Sequence, residues 1–201
     1  MKINYSFAML LLLTALTPIT MAAEKGSPVG TWVEAEKSLI ESLSKEDQET
    51  FFILRNKHSV IRSLEIVRDD IAKAVKGCGK GNKQLQDEMK ERFKEWENAV
   101  LPILEESKKF VKVEITEQTI LDPSQIKKIL KLNDAAYKYT NDRVEKIPLN
   151  DEKSCQKLLK SMDKTEDKLI QLLQNILLPE EVVRERIEQD GKKSNKENDD
   201  K

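Results

Sequence analysis

One stretch, His58 to Cys78 (HSVIRSLEIVRDDIAKAVKGC), limits what this chain can fold into more than any other. At 100° per residue, Val60, Ile61, Val67, Ile71, Val75 and Cys78 all fall within about 60° of Leu64. That spacing predicts one apolar stripe of a long amphipathic helix, ending on a cysteine that glycine follows at once. The only other cysteine, Cys155, stands near the start of another such helix.

The rest of the chain repeats the pattern. Pro28 suits the first turn of a helix, and Val29, Trp32, Val33, Leu39 and Ile40 mark a short first helix to about Leu43. Ser44 with Asp47 resembles a capping pair that opens the helix ending at Cys78. Asn82 caps a third helix with the stripe Leu85, Met89, Phe93, Trp96, Val100 and Ile103, which Pro102 should bend without ending. Val111, Val113 and Ile115 alternate as in a strand, but a lone strand has no partner, so they are read as a frayed helix end and loop. Asp122–Pro123 opens a fourth helix that stops before Pro148, and Asn150 or Asp151 caps a fifth bearing Cys155, Leu158, Met162, Leu169 and Leu173. Pro179 begins a small amphipathic helix carrying Val182, Val183 and Ile187.

Composition agrees: 35% charged residues, 5% aromatic and only six Gly and six Pro are a helical profile. The expected fold is all-α, an antiparallel up-down-up-down four-helix bundle with a short extra N-terminal helix and a small C-terminal amphipathic helix. Residues 1–22 read as a removable signal peptide: Lys2, the apolar run Phe7–Leu13, and Thr20-Met21-Ala22 as the cleavage site, with Ala23 the next choice. The run is too short to span a bilayer, for which about 20 residues are needed. Residues 23–190 form a single bundle domain, and 191–201, with no apolar residue beyond Gly191, are expected to be disordered. A short Lys-led signal looks bacterial, so the destination is the periplasm or the exterior. No second apolar stretch is long enough to span a membrane.

In such a bundle the second helix ends, and the fifth starts, at the same end. An oxidising compartment then makes a Cys78–Cys155 disulfide the expected outcome, contributing on the order of 4 kcal/mol. Pairing those cysteines sets a register in which Arg68 lies level with Thr165 and Glu166, roughly 15 Å below the bond. A buried polar layer of Arg68, Glu166 and Tyr137 is therefore predicted: an ion pair that fixes register, or a small-ligand site.

Several chemistries fail on residue types. A formal charge of −1 leaves no basic excess to attract nucleic acid. No CxxCH haem motif is present, and one histidine cannot build a di-iron or closed zinc site. GCGKG ends a helix and follows no strand, so it is no phosphate loop. Paired acids such as Asp69–Asp70 lie on outer faces, and nothing assembles a nucleophile, base and oxyanion site. No metal, cofactor or catalytic residue is expected. The function read from the sequence is non-enzymatic: contact with an unknown protein partner, as an adaptor, chaperone-like or envelope-associated factor, with Val182, Val183 and Ile187 the candidate contact patch. The alternative is a small-ligand carrier using the Arg68/Glu166/Tyr137 layer.

Overall fold

The computed structural model describes residues 26–78, 82–146, 149–179 and 182–183. The expected signal segment, Ile187 and the charged tail lie outside them. Among the described residues there are five helices and no strand: α1 Pro28–Glu41, α2 Lys45–Gly77, α3 Lys83–Glu117, α4 Pro123–Arg143 and α5 Glu152–Leu177. None is long and apolar enough to cross a membrane.

Each helix starts on a side chain that satisfies a free backbone N–H. Ser27 Oγ accepts from Gly30, Ser44 from Asp47, Asn82 from Leu85, Asp122 from Ser124 and Asp151 from Ser154. The hydrogen bonds that Ser124 and Ser154 give to Asp122 and Asp151 hold both carboxyls below the ordinary carboxylate value. Two glutamines tie the corners. Gln48 donates to the carbonyls of Ile40 and Leu43, and Gln118 donates to those of Ile115 and Leu121 while accepting from Ile120 and Leu121.

α3 is longer than the sequence reading allowed. It passes unbroken through the exposed Pro102 and runs on to Glu117. Val111 and Ile115 are buried while Val113 is 46% exposed, so the apparent alternation is one helical face seen at i and i+4.

A continuous core joins α2, α3, α4 and α5, with Phe93, Trp96, Val100 and Met162 among its residues. Cys78 and Cys155 are bonded, as expected from their places at the end of one helix and the start of another, and both are buried. The helices are not four equivalent neighbours around a ring. α3 packs extensively on both α2 and α5, α4 packs chiefly on α1, and α2 meets α5 over a short length.

Side-chain pairs mark how the helices lie. Between α2 and α3, Arg68 meets Glu97, Lys108 meets Glu65 and Lys57 meets Glu114, so partner numbers run in opposite senses. Between α2 and α4, His58 and Arg62 meet Asp134, and Asp70 meets Lys146, so they rise together. Between α3 and α5, Arg92 meets Asp163 and Glu166.

Candidate functional site

The predicted polar layer does not assemble. Arg68 Nε donates to Glu97 Oε1 at 2.7 Å, and its side chain is 41% exposed. Glu166 instead accepts from Arg92 on α3, also at 2.7 Å, and Arg92 holds Asp163 as well. Arg92 is the better covered of the two arginines, at 15% exposure. Burial works against its charge, and the hydrogen bonds it donates to Asp163 and Glu166 outweigh that and keep the guanidinium firmly ionised. The physical reason is the neighbour α5 takes: it packs extensively on α3 and only briefly on α2, so the acid expected to meet α2 meets α3. Thr165, expected level with Arg68, lies exposed and donates to the Ser161 carbonyl. Tyr137 stays half-buried on α4. Arg68 and Glu166 are thus held by different partners rather than by each other.

A different polar junction occupies the core where α2 and α4 meet. Asn133 is wholly buried, and Ser59 Oγ donates to its Oδ1 at 3.4 Å. His58 Nε2 lies 2.8 Å from Asp134 Oδ1, which also takes Arg62 Nε at 2.9 Å. Ser107 on α3, buried too, returns its hydroxyl to the Ile103 carbonyl. Such residues fix which helix faces which. Among the described residues no group of three or more His, Cys, Asp or Glu stands ready to hold a metal ion.

The candidate contact patch fares differently from its reading as a free surface. Val182 and Val183 form a helical turn after Pro179 and are half-buried against the main core.

The apolar surface that does stand open lies between α2 and α5. Beside the disulfide is a shallow depression lined by Val67, Asp70, Ile71, Ala74, Leu149 and Leu158. Its frame is rigid. Cys78–Cys155 closes one end, and the Lys146–Asp70 ion pair ties the α4–α5 connection to α2. Gly77 lies so near that connection that a Cβ would sit 2.7 Å from the Leu149 carbonyl oxygen, so only glycine fits.

Below the depression the apolar rows continue. Ile53, Val60, Val67 and Ala74 recur every seven residues along one flank of α2, with Ile53 58% and Val67 39% exposed. On α5, Leu158, Leu169, Leu172 and Ile176 share the corresponding flank, with Leu172 46% and Ile176 39% exposed. A sevenfold apolar repeat is the pattern a helix presents to another helix. Sequence reasoning had Val60, Val67, Leu158 and Leu169 in its stripes but assigned them to the closed interior, and it passed over Ala74 and Leu172. That α2 and α5 meet over only a short length was the missing signal.

Fold and surface together define a class: a disulfide-stapled all-helical protein with an open apolar seam between two of its helices. Comparison with protein-family models, with curated proteins and with solved structures finds no match.

Proposed function

We propose that this is an exported, non-enzymatic protein that works by contact, laying an amphipathic helix of a partner protein into the α2–α5 seam. One observation carries the reading: an apolar row at seven-residue spacing on α2 and an apolar flank on α5, both left partly exposed on neighbouring helices. From Leu158 to Ile176 the α5 row spans roughly 27 Å at 1.5 Å per residue, five turns of a partner helix. Contiguous apolar surface of this kind on a highly charged chain marks an interaction site.

The frame for it is an up-down-up-down bundle of α2–α5. The opposed numbering of the α2–α3 ion pairs and the matched numbering of the α2–α4 pairs support it. Export is supported by the Cys78–Cys155 bond, by the lack of any free cysteine among the described residues, and by the charged, apolar, small-residue order of 1–22. The bacterial periplasm or the exterior is the destination this reading assigns.

The test is a photo-crosslinking amino acid placed at Val67 or Leu172 of the exported protein, with exposed Lys112 as control. A discrete crosslinked species at the first two positions, lost when Val67→Asp is added to the Leu172 probe, is expected. Crosslinking no different from the Lys112 control defeats the reading. Intact mass of the same fraction without reductant, two hydrogens light and beginning at Ala23 or Glu24, checks export and the bond together.

A further inference from the structure

We propose that α1 is a hinged arm, which undocks as a unit from α4 by pivoting at residues 42–44 while the stapled core stays folded. Three separate observations converge on this helix. First, among the described residues the continuous apolar core takes in α2 through α5 and the start of the segment after Pro179, but no residue of α1. The fully buried residues of α1 are a glycine and an acid, Gly30 and Glu36, and its Val33 is 43% exposed. α1 therefore lies close on α4 without joining the continuous apolar core, and burial of apolar area in such a core is what holds helices in place.

Second, its seam is polar and incompletely paired. Glu36 meets Arg55 of α2 through Nη1, at 3.1 Å to Oε1. Burial pushes the Glu36 carboxyl up, and Arg55 offsets only part of that. Among the described residues three buried side-chain atoms meet no hydrogen-bond partner: Trp32 Nε1, Arg55 Nε and Asn133 Nδ2. The first two flank the Glu36–Arg55 contact, Trp32 standing one turn from Glu36, and the third lies on the contact of α2 with α4, where Ser59 reaches Asn133. A buried donor without an acceptor is costly, and undocking frees Trp32 Nε1 and Arg55 Nε to meet water.

Third, the hinge is short: Ser42, Leu43 and Ser44 join α1 to α2, among the described residues the Gln48 side chain alone bonds across that corner, to the Ile40 and Leu43 carbonyls, and the covalent staple sits at the opposite end of α2. Phe51, Ile129 and Ala136 are buried yet stand outside the continuous core. α1 belongs to the low-stability end of the molecule, the part that opens first.

Native-state hydrogen exchange on the oxidised full-length chain tests this. Amides of residues 32–41 should exchange through an opening that leaves α3 protected, with protection at least ~10-fold lower than that of α3. Trp32→Phe keeps a six-membered aromatic ring and removes one unpaired donor, and Arg55→Lys removes another while keeping the charge that meets Glu36. Each should slow α1 exchange, by about 10-fold if a full unpaired-donor cost is relieved. Exchange of α1 only in step with α3 overturns the proposal, and so does a failure of both variants to slow it.

Discussion

Replacing Cys78 and Cys155 together by alanine removes a link that closes 77 residues of chain. In the chain-entropy description, freeing a loop of that length gives the unfolded ensemble about 4.5 kcal/mol at 25 °C. Both side chains are essentially unexposed, so truncating them also loses a little packing and acts in the same direction. For a chain of this size each kcal/mol moves Tm by about 2–4 °C, which sets the expected fall at roughly 9–18 °C. Urea unfolding of the oxidised protein and of the double variant, followed by helical circular dichroism, measures the difference directly. The slope of the transition should rise slightly in the variant, because an uncrosslinked unfolded chain exposes more surface. A loss under ~1 kcal/mol with an unchanged slope refutes the reasoning: it would mean that the unfolded chain already keeps these helix ends together.

Three further outcomes follow from the same contacts. Arg92→Ala should cost about 1–2 kcal/mol in urea unfolding, since it strips partners from the poorly exposed Glu166, whereas Arg68→Met should stay within ~1 kcal/mol because its pair with Glu97 is half in water. Equal losses would restore Arg68 to the core. Gly77→Ala should destabilise by about 1–3 kcal/mol although alanine is the better helix former, because its Cβ meets backbone rather than a movable side chain. A raised Tm would show that the Leu149 segment shifts freely. The Glu36 carboxyl, raised by burial, binds its proton more readily in the docked state than when free. Its contribution to α1 docking is therefore fully present below the ordinary glutamate range and fades as pH rises through the raised value. Exchange of α1 amides, corrected for intrinsic rates, should speed up across that window in the native protein and lose this step in Glu36→Gln.

Much of this architecture was legible because helix ends are written in few residues. Ser44, Asn82, Asp122–Pro123 and the pair Asn150/Asp151 each offered a cap where the apolar period began, and Ser44, Asn82, Asp122 and Asp151 do cap helices; Ser27, which caps α1, was not read from the sequence beside Pro28. The disulfide was legible for a related reason, since both cysteines lie on stripes at helix ends. A stripe tells which face of a helix is apolar but not which neighbour it meets. α5 carries an arc from Leu172 round to Ile170, wide enough to serve two partners, and periodicity alone does not say that α3 takes most of it. The Arg68–Glu166 pairing failed there, and the open seam escaped notice for the same reason. The arm was half visible: Trp32, Glu36 and Ile40 follow one another at i, i+4, which puts an acid in the middle of the covered face. α1 was read by its apolar residues alone, and the acid passed unremarked.

The pairing of α3 with α5 sets the order in which this molecule is able to come together. Arg92 finds Glu166 across 74 intervening steps of chain, and Cys78 waits 77 residues for Cys155. At synthesis rates of about 5–20 residues per second, that interval lasts roughly 4–15 s. Once Glu117 has been made, the α2–α3 hairpin is complete in local contacts, and until Cys155 follows it carries an unpaired thiol at its tip and shows one apolar flank of α3 bare. Contacts this distant in sequence raise the contact order well above that of a helical chain whose neighbours in space are neighbours in sequence, and folding slows accordingly. α5, the last of the five described helices to be made, is the one that covers the hairpin, so a chain truncated before Glu152 would be left as a sticky, thiol-bearing half molecule.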